Sequence, residues 1–251
     1  DTFTFFLLFF YSNIIGLNPA LAGSAIFIAL CVDAVTDPLM GTISDRTNSS
    51  YGRRHPFMMI SFIPMSLGYI FLFAPRQDWD MSQSDLFIWM TIFTVITRIG
   101  MTLFDIPHRA FGGEVTKNYK ERTILMSWRE MFGWVAGLSN AFLGYGVFFA
   151  STSEYPQGQL NPDAWFPFAV TGAIFMIVSV LYSSLSTKDE IKSLSKWSGS
   201  ISLLDIVNEL KIAIGNKSFL IFFFGNLFLS LAWGLANTLT LFVNTYFWEF
   251  E

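Results

Sequence analysis

Long apolar stretches alternate with short polar segments along the whole chain. Seven apolar segments can be marked, and they cover residues 2–17, 20–43, 57–75, 85–110, 123–150, 165–186 and 218–247. Breakers such as Asn18-Pro19 and Pro75 separate them. Most reach the roughly 20 residues that an α-helix needs to cross about 30 Å of hydrocarbon. The pattern predicts an all-α membrane protein, because backbone groups in lipid must find their hydrogen-bond partners within the segment.

The basic residues predict how these helices are oriented. Eleven of the 15 Lys and Arg residues lie in the loops 44–56 and 111–122 and in the segment 187–217. Only Arg76 lies on the other side of the membrane. Because positively charged loops face the cytoplasm, we expect an integral, multi-pass protein with a cytoplasmic N-terminus, in the inner membrane if the protein is bacterial.

The segment 187–217 divides the chain into parts. Its apolar residues recur at helical spacing over 203–214, which predicts an amphipathic helix in a cytoplasmic connector. A bundle of six spans over 1–186, this connector, and a seventh span over 218–251 correspond to the first half of a twelve-span transporter and the start of its second half. We expect a fragment with a truncated first span, and a complete seven-helix protein is the alternative.

The composition agrees with a membrane protein. Hydrophobic residues make up 53% of the chain and charged residues 14%, with a mean hydropathy of +0.48, whereas soluble domains carry about a quarter charged residues. The single cysteine, Cys31, excludes an internal disulfide and a Cys-based zinc site. The sequence contains no Gly-rich phosphate loop, His cluster or nucleophile motif, so we predict no enzyme activity, no cofactor and no nucleic-acid partner.

Charged residues inside the apolar segments are the first candidates for function, since an ionisable group at the centre of a membrane helix costs roughly 2.5–3.5 kcal/mol. Asp33 and Asp37 lie one helical turn apart in the second span, and Thr36 lies beside them. Two carboxylates and a hydroxyl on one face suit a small cation or a shared proton. Capping of a helix break at Pro38, or pairing with an arginine for packing, is the structural alternative.

The fourth span carries one polar stripe on an otherwise apolar helix. Its members are spaced by 4, 3 and 4 residues and fall within about 60° of each other: Arg98, Thr102, Asp105 and Arg109. Such a stripe must face protein or a water-filled cavity. Because Pro107 follows Asp105 closely, we expect a local helix break there. For Arg109, a charge ladder near the cytoplasmic end is the alternative.

The fifth span begins with the motif SWREMFGW, which contains Trp128, Arg129 and Glu130. Neighbours on a helix point about 100° apart, so at most one of the two charged residues faces a cavity squarely. We favour Arg129 for that position. Snorkelling of its side chain to the cytoplasmic surface is the alternative.

Three motifs carry a resemblance to a known family. They are DAVTDPLMGTISDRTNSSYGRRHPF around the second span, TLFDIP in the fourth, and KERTILMSWREMFGWVAG leading into the fifth. On these motifs the sequence resembles the glycoside–pentoside–hexuronide:cation symporter family of the major facilitator superfamily, which includes melibiose permease. The resemblance covers nearly the whole chain. It implies the N-terminal six-helix bundle of that fold together with the first helix of the second bundle.

The resemblance also implies a function. Members of this family are secondary active transporters that carry a sugar, glycoside or hexuronide in symport with Na⁺ or H⁺ by alternating access. The expected partners are therefore a sugar-like solute, a coupling cation and the lipid bilayer, and we expect the full-length protein to work as a monomer. Two alternatives remain open, namely a transporter of lysolipid or another organic solute in the same superfamily, and a metal-dependent intramembrane enzyme.

The resemblance assigns roles to three sets of residues. Those implied to bind the coupling cation are Asp33, Thr36, Asp37 and Thr102, with Na⁺ at the two aspartates if the protein is sodium-coupled. Those implied to bind the substrate are Asp105 and Arg129, and we add Arg109 and Trp128 as further candidates for substrate binding. Those implied to form a cytoplasmic gate, by pairing with helix ends of the other bundle, are Gly41, Asp45, Arg46, Arg53 and Arg54. For the arginines of the gate, a role as topology signals alone is the alternative.

The sequence departs from the family pattern at one substrate position. Arg109 stands where melibiose permease has a tryptophan that lies against the galactosyl ring. An arginine cannot offer that apolar platform, and it pairs well with carboxylates. We therefore expect a substrate other than a galactoside, and an acidic one fits best.

Overall fold

The computed structural model describes residues 2–47, 49–116, 118–189, 212 and 214–248, and these residues form helices joined by turns, with no strand among them. The predicted all-α class is confirmed. The helices, numbered in chain order, are α1 (Thr2–Phe9, continued by a π-helical turn over Phe10–Ile15), α2 (Pro19–Arg46), α3 (His55–Ile60), α4 (Phe62–Leu72), α5 (Gln83–Glu114), α6 (Tyr119–Leu143, continued by a π-helical turn over Gly144–Phe148), α7 (Pro162–Ser186) and α8 (Lys217–Tyr246).

Each of the seven predicted apolar segments contains a helix. Within the described residues, six helical segments are long and apolar enough to cross a membrane: Pro19–Arg46, His55–Leu72, Gln83–Glu114, Tyr119–Phe148, Pro162–Ser186 and Lys217–Ala236. The first segment is a shorter apolar helix. The helix break expected at Pro107 is wrong, because α5 continues through that residue for 32 residues in all. Residues 190–211, which include most of the predicted amphipathic helix, lie outside the described residues.

The chain falls into two compact units that divide between Ser195 and Lys196. The first unit holds α1 to α7, and the second holds α8. Asparagine side chains cap the starts of four helices in the two units: Asn18, Asn118, Asn161 and Asn216 each accept a hydrogen bond from a backbone N–H of the first turn, at 2.9, 3.0, 3.0 and 3.0 Å. These caps satisfy donors that no helical carbonyl can reach, which is why the helices begin where they do.

Helices α2 and α5 lie side by side and run in the same direction. At their starts, the backbone N–H of Asn18 donates to the side-chain carbonyl of Gln83 at 2.8 Å. Near their middles, Asp33 and Arg98 are in contact. Both pairs are separated by 65 residues along the chain. A constant separation means that the two helices are parallel and in register, so residues of α2 face known residues of α5.

The other side of α5 packs closely on α4. A Cβ atom added to Gly100 would lie 2.4 Å from the backbone nitrogen of Met65, and one added to Gly68 would lie 2.5 Å from Oγ1 of Thr97. Neither distance is possible for a real side chain, so the two backbones can approach only because both positions are glycine. Helix α4 packs in turn on α7. These contacts place α5 at the centre of the first unit.

The aromatic core lies at one end of this unit, where α1, α4 and α7 meet. Trp165 is fully buried, and its indole nitrogen donates to the carbonyl of Gln159 at 3.0 Å. Its ring packs against Phe149 with centroids 4.7 Å apart and stacks on Phe73 at 5.9 Å. Aromatic packing of this kind fixes the end of the unit that lies away from the basic loop 44–56. The charged residues predicted for the site and the gate lie in the middle of the unit and at its other end.

Candidate functional site

The candidate cation residues lie in the middle of α2. Helix α2 passes Pro38 without interruption, so neither Asp33 nor Asp37 caps a helix end. Asp33 is the fifteenth of the 28 residues of α2, and Arg98 is the sixteenth of the 32 residues of α5. Both therefore lie at the centres of helices that are long enough to span a bilayer.

Asp33 forms an ion pair with Arg98. The Nη1 atom of Arg98 lies 2.5 Å from Oδ2 of Asp33, and the two side chains are 12% and 18% exposed. The other carboxylate oxygen, Oδ1, is buried and has no hydrogen-bond partner in the described part of the chain, and the same holds for Oγ1 of Thr36. A buried oxygen without a donor is costly unless a ligand satisfies it. One face of α2 thus presents two oxygens that are ready to accept.

Asp37 accepts a hydrogen bond from a hydroxyl group of α5, the helix that also carries Arg98. Oγ1 of Thr102 donates to Oδ1 of Asp37 at 2.7 Å, again across a separation of 65 residues. Thr102 is buried, with 7% of its surface exposed. The in-register packing of α2 on α5 therefore sets Asp33 against Arg98 and Asp37 against Thr102, with a guanidinium on one carboxylate and a hydroxyl on the other.

The chemistry of this group is that of hard oxygen ligands. Carboxylate and hydroxyl oxygens bind small hard cations, and a carboxylate also takes up a proton. Among the described residues, no group of three or more His, Cys, Asp or Glu side chains could hold a metal ion. The oxygens available on this face are those of Asp33, Thr36 and Asp37, with Thr102 opposite them.

Asp105 joins α5 to α6 one turn beyond Thr102. Its Oδ2 lies 2.6 Å from Nε of Arg109, and its Oδ1 accepts from Nη2 of Arg129 at 3.3 Å. Arg129, which the sequence analysis favoured for a position facing a cavity, therefore points to α5 and contacts Asp105. The three side chains are partly open, with 38% of Asp105, 57% of Arg109 and 29% of Arg129 exposed. A solute could reach both an acceptor and donors here.

Trp128 directly precedes Arg129 on α6. Its ring stacks on Phe132 of the same helix, with centroids 5.9 Å apart and an angle of 28° between the ring planes. Just over half of its surface, 52%, is exposed. An exposed indole beside charged groups is suited to lie against the apolar face of a ring-shaped solute.

A cluster of charges joins the loop 44–56 to the ends of α2 and α5. Nη2 of Arg54 lies 2.7 Å from Oδ1 of Asp45 and 2.7 Å from Oε1 of Glu114, and Nη2 of Arg53 lies 2.8 Å from the same Glu114 oxygen. The arginine side chains are 6% and 12% exposed. The partners that the structure gives these arginines thus belong to the same unit. Arg46 is exposed and makes no ion pair in the described part of the chain.

Two members of these groups were not assigned from the sequence. Glu114 was missed because only Lys and Arg were counted in the loops, although an acidic residue next to a basic loop is a signal for pairing. Arg98 was placed in the polar stripe without a partner. Gly41, by contrast, was assigned to the gate, and a Cβ atom added there would lie at an ordinary distance, 3.7 Å, from Cγ2 of Ile106.

Comparison with known proteins adds to this geometry. Residues 2–251 match the family described as MFS/sugar transport protein. An uncharacterized symporter of Synechocystis sp. is 33% identical over 191 residues, which cover 75% of this chain and 34% of that protein. An isoprimeverose transporter of Lactiplantibacillus pentosus is 23% identical over 190 residues, 75% of this chain and 38% of that protein. A sodium-dependent lysophosphatidylcholine symporter of Danio rerio is 31% identical over 139 residues, 53% and 25% respectively. The chain spans less than half the length of each of these relatives.

Proposed function

The chain belongs to the MFS/sugar transport protein family, and on that premise we propose that the protein is a secondary active transporter that carries a sugar, glycoside or hexuronide together with Na⁺ or H⁺. Its apolar helices and its family make it an integral, multi-pass membrane protein. The proposal is supported above all by one observation, the paired carboxylates at the centre of α2. Buried charges at this depth are costly and are retained for ion or substrate pathways.

Coupling follows from the way α5 links two groups of residues. Thr102 binds Asp37, and Asp105, three residues further along the same helix, binds Arg129. A cation that binds at Asp37 changes the contacts of α5 and therefore the position of Asp105. By linkage, a solute at Asp105 changes the affinity for the cation by the same factor. Two adjacent sites on one rigid helix are what symport requires.

The group around Asp105 suits a sugar-like solute. Its carboxylate accepts hydrogen bonds from hydroxyl groups, and Arg109 and Arg129 donate them. Because two guanidinium groups share one carboxylate, the three side chains carry one net positive charge. A hexuronide, which combines hydroxyl groups with a carboxylate, matches this balance best.

The charge cluster at the end of α5 suits a gate. Arg54 binds Asp45 of α2 and Glu114 of α5, so it holds the ends of both helices together. The basic loop that carries Arg53 and Arg54 faces the cytoplasm by the positive-inside rule. In this proposal the cluster keeps the cytoplasmic side closed, and its opening releases the solute.

A second candidate is supported by one comparison, the 31% identity to a sodium-dependent lysophosphatidylcholine symporter. In that case Arg109 would bind a phosphate group, which an arginine does as well as it binds a carboxylate. We favour the sugar-like solute because Asp105, which pairs with both Arg109 and Arg129, can accept hydrogen bonds from several hydroxyl groups of a sugar.

The proposal is tested by uptake into proteoliposomes. The full-length protein is reconstituted, and radiolabelled glycosides, pentosides, hexuronates and lysolipids are supplied with an inward sodium gradient, an inward proton gradient or neither. Asp37→Asn should still move the solute downhill but should lose acceleration by a cation gradient. The matched control is Asp78→Asn, the same change at an exposed residue outside the long helices, and it should behave as the wild type.

Three results would contradict the proposal. Uptake of lysolipid alone would move the protein to the second candidate. Uptake of a sugar that neither gradient accelerates would exclude symport. Equal acceleration in wild type and Asp37→Asn would remove Asp37 from the cation site.

A further inference from the structure

Asp33 is already paired with a positively charged side chain in this structure. The guanidinium of Arg98 contacts its carboxylate at 2.5 Å, and both side chains are largely buried. A bound metal ion would do for Asp33 what Arg98 does, namely neutralise its charge. The α2–α5 contact therefore brings together two carboxylates, Asp33 and Asp37, and one built-in cation, which leaves one net negative charge.

Asp33 and Arg98 lie at a depth where an unpaired charge is most unfavourable. Asp33 and Arg98 are both at the midpoints of their helices. An unpaired ion at the centre of a bilayer is unfavourable, and breaking a buried pair exposes the protein to that cost. The two residues are thus expected to remain together through a transport cycle, so that Asp33 is not free to exchange ions.

A metal ion would meet the arginine at this site. The oxygens of α2 that lack donors are Oδ1 of Asp33 and Oγ1 of Thr36. An ion bound to Oδ1 would share one carboxylate with the guanidinium on Oδ2, so two positive charges would lie within a few ångströms. Their repulsion is strong in a buried site.

We propose that Arg98 takes the place of a metal ion at Asp33 and that this site therefore does not bind sodium. This inference rests on the proposed function, since it excludes one cation from the same site.

The charged groups around this pair can be named for the described residues of the helices that pack there. On α2 the second carboxylate is Asp37, which accepts a hydrogen bond from Thr102. On α5, Arg98 contacts Asp33. Helix α1 also packs on α2, and it contains no charged side chain over Thr2–Phe9. Among these groups, the pairing of Asp33 with Arg98 leaves the negative charge of Asp37.

The test compares sodium binding by the wild type and by Arg98→Gln. Purified full-length protein is titrated with NaCl, with choline chloride as the ionic-strength control, in an isothermal titration calorimeter. The wild type and Arg98→Lys, which keeps the charge, should give the same heats with both salts. Arg98→Gln should bind sodium at least about tenfold more tightly, because a unit charge close to the ion has been removed. Asp33→Asn/Arg98→Gln should lose the gained affinity.

The outcomes separate this inference from the proposed function. Sodium binding by the wild type with the affinity of Arg98→Gln, or a folded Arg98→Gln that binds no sodium, would overturn the role of Arg98. If Arg98→Gln does not fold, the wild type decides: sodium-driven uptake overturns the inference, and uptake driven by a proton gradient alone supports it. If no sugar in the panel is transported, the proposed function fails, whereas the sodium titration still decides whether Arg98 excludes the ion.

Discussion

Glu114 is predicted to be the residue on which the charge cluster at the loop 44–56 depends. A single oxygen, Oε1, lies 2.8 Å from Arg53 and 2.7 Å from Arg54. Replacement by glutamine keeps the shape and removes the charge, so the two guanidinium groups are left with Asp45 as their remaining carboxylate among the described residues. Breaking a buried pair costs about 3–5 kcal/mol, and exposed pairs contribute about 0–1 kcal/mol. Because the Glu114 side chain is 31% exposed, we expect a loss of about 2 kcal/mol.

The matched control is Asp45→Asn. Asp45 binds one arginine and not two, and its side chain is 42% exposed. We therefore expect a loss of about 1 kcal/mol at most. Thermal unfolding of the purified variants in one detergent, followed by circular dichroism, measures both. For a protein of this size about 1 kcal/mol corresponds to roughly 2–4 °C in Tm, so Glu114→Gln should melt roughly 4–8 °C below the wild type.

A second variant tests whether the lower Tm expected for Glu114→Gln is caused by the lost charge and not by changed packing. Arg53→Gln removes one of the two positive charges that Glu114 balances. In the Glu114→Gln background it should recover part of the lost stability, because one uncompensated cation disappears. The reasoning is wrong if Glu114→Gln melts with the wild type, if Asp45→Asn is the more damaging change, or if Arg53→Gln lowers the Tm of the double variant further.

Two more pairs of measurements follow from the geometry. Gly100→Ala should lower the free energy of unfolding by about 2–3 kcal/mol, since its Cβ would lie 2.4 Å from the backbone of Met65. Its matched control, Gly41→Ala, would place a Cβ 3.7 Å from Ile106 and should be neutral or slightly stabilising. Thermal melts that reversed this order would contradict the packing of α4 on α5. Arg109→Gln should change the free energy of unfolding by less than about 0.5 kcal/mol, because the Arg109 side chain is 57% exposed. It should nevertheless reduce uptake of hexuronates at least about tenfold more than uptake of neutral glycosides. An equal effect on both solutes would mean that Arg109 does not bind the substrate's carboxylate.

The fold was predictable because hydrophobic runs of this length leave few alternatives to membrane helices. The first and last residues of the helices were harder to predict, because the helices continue past the hydrocarbon into the polar segments. The 32 residues of α5 are about 48 Å long, well over the thickness of the hydrocarbon. Pro107 shows that a local sequence signal can also predict a helix break that the structure does not contain. It removes one backbone donor, and the expected break is absent because packing on α2 and α4 holds α5 in helical geometry.

The candidate site was predictable in its members and not in its pairing. The spacing of Asp33 and Asp37, and of Arg98 and Thr102, placed each set on one face of a helix. Which member meets which depends on the register of α2 against α5, and no local pattern encodes a separation of 65 residues. The decisive fact about the site, that one carboxylate is already paired with an arginine, therefore came only from the tertiary structure.

The same two helices are joined at the middle and at the end next to the basic loop 44–56, and this arrangement offers a route for the coupling that we propose. Thr102 of α5 binds Asp37 of α2 at mid-helix, and Arg54 bridges Asp45 of α2 to Glu114 of α5 at the end. Because α5 is continuous between Thr102 and Glu114, a shift of α5 at Asp37 is carried about 18 Å to the cluster, unless the helix bends on the way. In the proposed transporter, a cation that loosens the contact at Asp37 would therefore also strain the bridge at Arg54. Occupancy of the site and opening of the gate are, on this view, two effects of one movement.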